Sequence, residues 1–376
     1  MKECLKKTFC VPFNGDIQLI KYLVENNPEP IYEFYGTDDL FPSGRWKNPN
    51  ETAKISEVMD VLRGTGIRFN YLLNSIVFDD YIVHGDALKK HLGDLRAWGV
   101  DSVTCTSPFL IDLAKSFGFE VNTSLMQNIR SATSIRYYEK LGYDRILLCE
   151  DDIRNTRLIK DMAQSTQLPI EAIIDNVCLM ECPFRQTHLS SEGIRHPEFS
   201  DAMRQYMSAY CRQCKQFWHY DASNFLKTSW VRPNDLETLK ECGIKLFKMG
   251  GRGIETSAII QKLSIYCQGE FDGDIFEYLK PHMDSKLFLG VDPIQNNDLN
   301  EYFEFFHKGK CTKLCHACGH CDRWAEKLVH TDKDHWRNRP VTGGLGEALS
   351  KEECLKEFGK LDKPNSGLFG TQTQNK

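Results

Sequence analysis

Short apolar or β-branched runs alternate with amphipathic stretches as far as about residue 280, and this alternation constrains the fold more than any other feature. The pattern is typical of βα units, in which a helix follows each strand and covers a parallel sheet. The predicted strands are TFCVPF at 8–13, PIYEFYG at 30–36, IRFNYLL at 67–73, DSVTCTS at 101–107, FEVNTSL at 119–125, RILLCED at 145–151, PIEAIID at 169–175 and IKLFKMG at 244–250.

Eight βα units match the length of a (β/α)8 barrel, which is typically about 250 residues. We therefore predict an α/β chain with a TIM-type barrel over residues 1–280. A doubly wound open sheet is the alternative, but no GxGxxG motif follows the first strand to favour a dinucleotide fold. Residues 176–243, between the last two predicted strands, are far longer than a usual connection. We expect a metal-binding insertion there, over 176–229.

Fifteen cysteines are the most informative part of the composition. The 47 basic and 52 acidic residues give a net charge of −5, which argues against duplex nucleic acid or an anionic membrane as the main partner. No apolar run has the roughly 18 residues of a membrane helix, and no export signal is evident, so we expect a cytoplasmic protein. In a reducing compartment, clustered cysteines are metal ligands or redox groups more often than disulfides.

The first cysteine group lies in the predicted insertion. It has the spacing Cys-x3-Cys and then Cys-x2-Cys, formed by Cys178 and Cys182 and by Cys211 and Cys214. Barrel active sites lie at the carboxyl ends of the strands, and Cys178 follows the seventh predicted strand by three residues. Thiolates suit both zinc and iron–sulfur clusters, so spacing alone does not choose. The position at the catalytic face, with Pro183 after a ligand cysteine, favours a 4Fe-4S cluster.

A second and denser group lies in KCTKLCHACGHCDRWAEK, within a predicted extension over 281–336. Its members are Cys311, Cys315, Cys318 and Cys321. This group fits a second 4Fe-4S cluster that passes electrons to the first, or a zinc ion that pins the extension to the barrel, and both interpretations stay open. The remaining residues, 337–376, have little apolar content and are expected to form a mobile tail.

Charged residues at the predicted strand ends are further candidates. Glu150 and Asp151 follow the sixth strand, where they fit either proton transfer or the acidic start of a helix. Lys248 and Arg252 flank the end of the eighth strand, where they fit either the binding of an anionic group or an ion pair that closes the barrel.

Weaker candidates complete the predicted site. Arg45, Asn122, Arg154 and Arg185 are possible substrate-binding residues on loops and strand ends. His188, in the cysteine loop, is a possible proton carrier, although a single histidine in a polar loop is more often a surface residue.

Three segments carry a resemblance to a known family: NVCLMECPFR, WVRPNDLETLKECGIKLFKMGGR and AIIQKLSIYCQGEF. They resemble the collagenase-like peptidase family thirty-two of unclassified peptidases, over most of residues 8–280. The most specific stretch runs from Trp230 to Arg252 and ends in FKMGGR. The segment VNTSLMQNIRSATSIRYYEKLGYDRILLCEDD is also similar to the family's pattern.

The resemblance implies an iron–sulfur enzyme. Several similar members carry out oxygen-independent hydroxylation of ubiquinone precursors or RNA bases, with prephenate as the apparent oxygen donor in the RNA cases. We therefore expect a hydroxylation or related redox modification of a small molecule, peptide or RNA base, with a small anionic substrate or oxygen donor and an electron donor. The alternatives are a metal-dependent peptidase, and a non-catalytic electron-transfer subunit that works with a paralogous partner chain. This chain departs from the hydroxylases in its ligand spacing, since only Cys178 and Cys182 align.

Overall fold

A computed structural model describes residues 5–38, 40–41, 43, 53–76, 81, 84–192, 210, 214, 217, 221–279 and 291–330. Three predictions fall outside these residues: the roles of Arg45 and Cys211 and the mobile tail over 337–376. In the described part of the chain, no helix has the length and apolarity needed to cross a membrane.

Eight parallel strands form one sheet, with the order β5-β4-β3-β2-β1-β8-β7-β6. Their bounds are β1 Phe9–Pro12, β2 Ile31–Gly36, β3 Arg68–Leu73, β4 Ser102–Cys105, β5 Glu120–Asn122, β6 Ile146–Leu147, β7 Ile170–Ile173 and β8 Ile244–Lys248. A parallel bridge between Asn122 and Arg145 joins the two edge strands and closes the sheet into a barrel. The predicted (β/α)8 fold is confirmed.

Helices follow the strands and cover the barrel. In the described residues they are α1 Ile17–Asn26, α2 Ile55–Leu62, α3 Gly85–Trp98, α4 Pro108–Ser116, α5 Ala132–Lys140, α6 Thr156–Gln164, α7 Arg185–Glu192, α8 Ser223–Lys227, α9 Leu236–Glu241, α10 Thr256–Gln268, α11 Phe276–Leu279, α12 Asn300–His307, α13 Cys315–Cys318 and α14 His320–Leu328. Short 3-10 turns occur at Leu125–Gln127, Glu150–Asp152, Pro233–Asp235 and Asn296–Leu299.

Helix α3 shows how the sequence sets a helix and its end. Leu88, Leu92 and Leu95 recur at helical spacing and are buried, which turns one face of the helix toward the sheet. The helix stops at Gly99, whose φ of 100° is a left-handed conformation that glycine adopts without strain. The chain then enters β4 directly.

The interior of the barrel is unusually polar. Barrel interiors are mostly filled with branched aliphatic side chains, but here Glu33, Arg145 and Glu171 are all buried inside. Arg145 donates two hydrogen bonds to Glu33, at 2.9 and 2.7 Å, and its Nη1 lies 4.0 Å from Glu171 Oε1. Lys248 Nζ lies 3.5 Å from the same Glu171 oxygen. The two cations therefore balance the two buried carboxylates.

The substitution Arg145→Met tests this balance. It removes the main counter-charge of Glu33, and breaking a buried ion pair by deleting one partner costs about 3–5 kcal/mol. We expect the free energy of unfolding in urea to fall by that amount. The control is Arg63→Met, because Arg63 pairs with Asp60 on the surface, with side-chain exposures of 76% and 68%, and such pairs contribute below about 1 kcal/mol. Equal losses for the two variants would contradict the interpretation.

Candidate metal centre

The segment that follows β6 organises the carboxyl face of the barrel. Glu150, Asp151 and Asp152 form a 3-10 turn directly after the strand, and Arg154 follows it. All four side chains are buried. Because parallel strands all end at the same face, this segment meets the loop after β7.

Asp151 and Arg185 fix the loop that carries the first two cysteines. Arg185 donates to both carboxylate oxygens of Asp151, at 2.6 and 3.0 Å, and to the Leu179 carbonyl at 2.6 Å. The same guanidinium lies 3.1 Å from Glu150 Oε1. Burial alone would lower the pKa of Arg185, but Glu150 and Asp151 raise it above its usual value, with a smaller contribution from Cys178.

The structure thus brings together three of the predicted site residues, Glu150, Asp151 and Arg185, beside Cys178. Their contacts hold the cysteine loop against the end of β6. The expectation that Glu150 and Asp151 move protons stays untested. His188 lies one helical turn further along α7, with its ring stacked on Tyr210 at 5.3 Å.

A second ionic group joins the two cysteine loops to each other. Glu181, between Cys178 and Cys182, accepts hydrogen bonds from both Arg130 and Lys313. Lys313 lies between Cys311 and Cys315, and its ammonium also binds Asp152. Glu181 and Lys313 both have left-handed backbones, with φ of 52° and 61°. Non-glycine residues in this conformation are uncommon and cluster at functional sites.

The second cysteine group lies directly on this face. Cys311, Cys315 and Cys321 line a cavity whose other walls include Asp151 after β6 and Met180 from the first cysteine loop. The fourth member, Cys318, is half-buried on α13. The two groups are about 130 residues apart in sequence, and the folded chain brings the extension back onto the first loop.

The spacing of the sulfur atoms distinguishes two kinds of metal centre. A zinc–sulfur bond of about 2.3 Å places tetrahedral ligand sulfurs about 3.8 Å apart. Among the described residues, no three cysteine thiols all lie within 4.8 Å of one another. No three thiols of the second group therefore have the separation that a single tetrahedral zinc ion requires. A 4Fe-4S cluster, in which each cysteine binds a different iron, needs sulfurs that are farther apart.

The protonation of these thiols also bears on metal binding. Burial raises the pKa of both Cys315 and Cys321. The thiols therefore stay protonated at neutral pH until a cation binds, and binding releases their protons. In contrast, Cys105 and Cys242 are buried in the hydrophobic core, as free structural cysteines usually are. Cys10 and Cys149 are also buried, but beside charged side chains.

A separate set of possible metal ligands lies inside the barrel. Cys10, Glu33 and Glu171 each offer an atom within 4.8 Å of the others, close enough to bind one metal ion. Arg145 and Lys248 already neutralise the two carboxylates, however, and the three ligand residues are fully buried. The charge balance favours an ion-pair network here over a metal site.

The other predicted substrate-binding residues lie in different parts of the barrel. Lys248 lies inside the barrel, with Nζ 4.2 Å from the centre of the Tyr35 ring. Asn122 is also interior and donates to Ser102 at 3.1 Å. Arg252 lies beyond the end of β8 and donates to the Ser43 hydroxyl at 3.1 Å. Lys248 and Asn122 are the last residues of β8 and β5 with side chains inside the barrel, whereas Arg252 lies in the loop beyond β8.

An ion pair that sequence reasoning missed joins the exits of β7 and β8. Asp175 accepts from Lys262 Nζ at 2.6 Å and from the Gly250 amide at 2.7 Å. Both charged side chains are almost completely buried. Asp175 follows a strand and Lys262 lies in a helix much further along the chain, so no local sequence pattern indicates that they pair. The pair fixes the base of the loop that bears Cys178.

The fold and the site together define a (β/α)8 barrel whose carboxyl face is covered by two contacting cysteine loops. The chain belongs to peptidase family U32, whose model matches residues 36–313. It is 27% identical over 235 residues to the uncharacterized protease MJ1657 of Methanocaldococcus jannaschii, covering 62% of this chain and 68% of that protein.

Two solved structures are among those that this chain is similar to. The U32 peptidase Mk0906 is 14% identical, with a TM-score of 0.43 and coverage of 61% of this chain and 89% of that chain. The tryptophan synthase complex of Pyrococcus furiosus is 10% identical, with a TM-score of 0.40 and coverage of 70% and 94%.

The substitution Arg185→Met tests the hold on the first cysteine loop. Without Arg185, Glu150 and Asp151 repel each other, and the Glu181 amide, which donates to Asp151 at 3.2 Å, loses its fixed acceptor. We expect faster hydrogen exchange at the Glu181 amide, with β2 and β3 unchanged as internal controls. Unchanged exchange at Glu181, or equal acceleration across the barrel, would show that Arg185 does not hold this loop specifically.

Proposed function

We propose that this U32-family protein is an iron–sulfur enzyme that carries out an oxygen-independent hydroxylation or a related redox modification. Its two cysteine groups would each hold a 4Fe-4S cluster, side by side over the carboxyl ends of β6 and β7. The observation that carries the proposal is the contact between the two loops, where Lys313 Nζ lies 3.1 Å from Glu181 Oε1. Cysteines far apart in sequence are thereby assembled on the face where barrels bind their substrates.

Three further features support the assignment of metal centres. Cys311, Cys315 and Cys321 line a common cavity, and no three thiols of the second group lie within 4.8 Å of one another, which favours a cluster over one zinc ion. Both loops contain strained left-handed residues, which is typical of segments shaped by a ligand. Both loops are also anchored to one buried acidic segment, so their positions are fixed by the barrel.

When bound, the clusters would supply one-electron chemistry near the barrel mouth. The ligands would be Cys178, Cys182, Cys211 and Cys214 at the first centre, and Cys311, Cys315, Cys318 and Cys321 at the second. The chain's other residues position these ligands. Arg185 orients the first loop through Asp151, and Lys313 joins the second loop to the first.

The substrate would bind beside these centres at the open end of the barrel. Arg252 is the described predicted cation that lies at this face, and we assign it to an anionic group of the substrate or oxygen donor. Cys311, Cys315, Cys318 and Cys321 would hold the centre on the side of the extension, and an external donor would have to supply the electrons for the reaction.

Anaerobic metal and sulfide analysis tests this function. The full chain is compared with a Cys178→Ser, Cys182→Ser variant and a Cys315→Ser, Cys318→Ser variant. We expect iron and sulfide in equal amounts, with each double variant losing about half of both. The control is Cys267→Ser, a cysteine outside both groups, which should retain the full content.

Other results would replace the proposal. Zinc without sulfide, together with peptide cleavage that a chelator abolishes, would favour the metal-dependent peptidase. Iron and sulfide in a chain that is active only beside a second related chain would favour the electron-transfer subunit. Absence of bound metal after anaerobic purification would exclude both cysteine centres.

A further inference from the structure

Arg154 is the exception among the buried cations of the described residues. Five arginines and lysines are buried there. Four of them have a carboxylate oxygen within 4.0 Å, namely Arg145, Arg232, Lys248 and Lys262. Arg154 has no carboxylate oxygen within 4.0 Å among the described residues, and only 8% of its surface is exposed.

The guanidinium of Arg154 is held by uncharged groups. Its Nε and Nη2 both donate to the Trp230 carbonyl, at 3.1 and 2.7 Å. Its Nη1 donates to the Leu226 carbonyl and to the Tyr302 hydroxyl. The ring of Trp230 lies 4.7 Å from its central carbon. These contacts fix the side chain, but none of them neutralises its charge.

A buried charge without a counter-charge is strongly unfavourable. Asp151 lines the same cavity as Arg154, but its carboxylate is bound by Arg185, so the groups there that can still become anionic when a cation binds are the cysteine thiols of the second group. Arg154 lines the same cavity as Cys311, Cys315 and Cys321. It also connects to Cys321 through Tyr302, whose hydroxyl lies 3.0 Å from Arg154 Nη1 and 3.5 Å from Cys321 Sγ.

Ionised cysteines would supply the missing negative charge. Four thiolates around zinc, or around an oxidised 4Fe-4S core, leave a net charge of about −2. We propose that Arg154 is the buried counter-charge of the metal centre formed by Cys311, Cys315, Cys318 and Cys321, and that it stabilises the more negative, reduced state of that centre. The inference rests on the proposed function, since it assumes that the second group binds metal.

The role of Arg154 is one of positioning and charge. It would not bind the metal, and the Tyr302 hydroxyl, which accepts from Arg154 and donates to the Leu226 carbonyl at 2.5 Å, would lie between Arg154 and the Cys321 sulfur. Hydrogen bonds and positive charge near cluster sulfurs raise the reduction potential. Loss of Arg154 should therefore make the second centre harder to reduce, without changing the first.

The experiment compares Arg154→Met with a matched control, Arg232→Met. Arg232 is also buried and stacks on the same Phe303 ring, at 4.4 Å against 5.0 Å for Arg154, but it pairs with Asp235 at 2.7 Å. Both variants lose a buried arginine and its packing. Only Arg154→Met removes an unpaired charge beside the cysteines.

Reduction is followed by redox titration of the anaerobic full chain in the Cys178→Ser, Cys182→Ser background, so that only the second centre is observed. We expect Arg154→Met to shift the equilibrium toward the oxidised form at least tenfold, which is about 59 mV for a one-electron couple. Arg154→Lys, which retains the charge, should recover most of the shift. Arg232→Met should leave the potential unchanged.

The remaining outcomes are also decisive. If Arg154→Met does not fold, Arg154→Gln provides the test, because it keeps a hydrogen-bond donor and removes the charge, and a lower potential is again expected. An unchanged potential in Arg154→Met or Arg154→Gln, or equal shifts in Arg154→Met and Arg232→Met, would overturn the inference while the proposed function stands. A second group without bound metal would overturn both.

If the second centre holds zinc, the readout becomes extraction of the metal by a chelator. We then expect Arg154→Met to lose zinc at least about tenfold faster than Arg232→Met, because the thiolates lose their compensating charge. Equal extraction rates in the two variants would contradict the role of Arg154. Faster loss of zinc from Arg154→Met would support the counter-charge role, while zinc at this centre would exclude the reduced state and the iron–sulfur chemistry proposed for it.

Discussion

Five consecutive residues after β6, Glu150 to Arg154, hold the cysteine-rich face together. Asp151 binds Arg185 and so fixes the first cysteine loop, and Asp152 binds Lys313 from the second loop. Arg154 joins the end of the insertion to the extension through backbone carbonyls and a tyrosine hydroxyl. Because these residues follow a barrel strand, they hold both loops in fixed positions relative to the sheet. Without this segment the two groups would be separate features of distant parts of the chain.

The barrel beneath that face is itself built around charge pairs. Glu33, Arg145, Glu171 and Lys248 neutralise one another in an interior that is usually aliphatic. Such a core has less hydrophobic packing than an aliphatic one. Its ion pairs stabilise the fold only while all partners are present. The same rule applies at the face above, where Arg154 is a buried cation whose partner is expected to be an inorganic centre and its thiolates.

The sequence was sufficient to predict the fold because each strand is a local pattern. All eight predicted strands occur within a few residues of their expected positions. The site was only partly predictable, because its contacts join residues far apart in sequence. Lys248 and Asn122 end β8 and β5, as expected, but the alternation of side chains along a strand turns both of them into the barrel. Arg154 resembles any surface arginine after an acidic turn, and only the folded chain reveals that no carboxylate of the described residues pairs with it.

The account as a whole depends on two iron–sulfur centres lying next to each other on this face. Electron paramagnetic resonance of the anaerobic protein after reduction with dithionite measures this proximity directly. The account predicts a spectrum broadened by magnetic interaction between two reduced clusters, which becomes that of one isolated cluster when either cysteine pair is replaced by serine. A reduced protein without an iron–sulfur signal, or with two signals that do not influence each other, would contradict it.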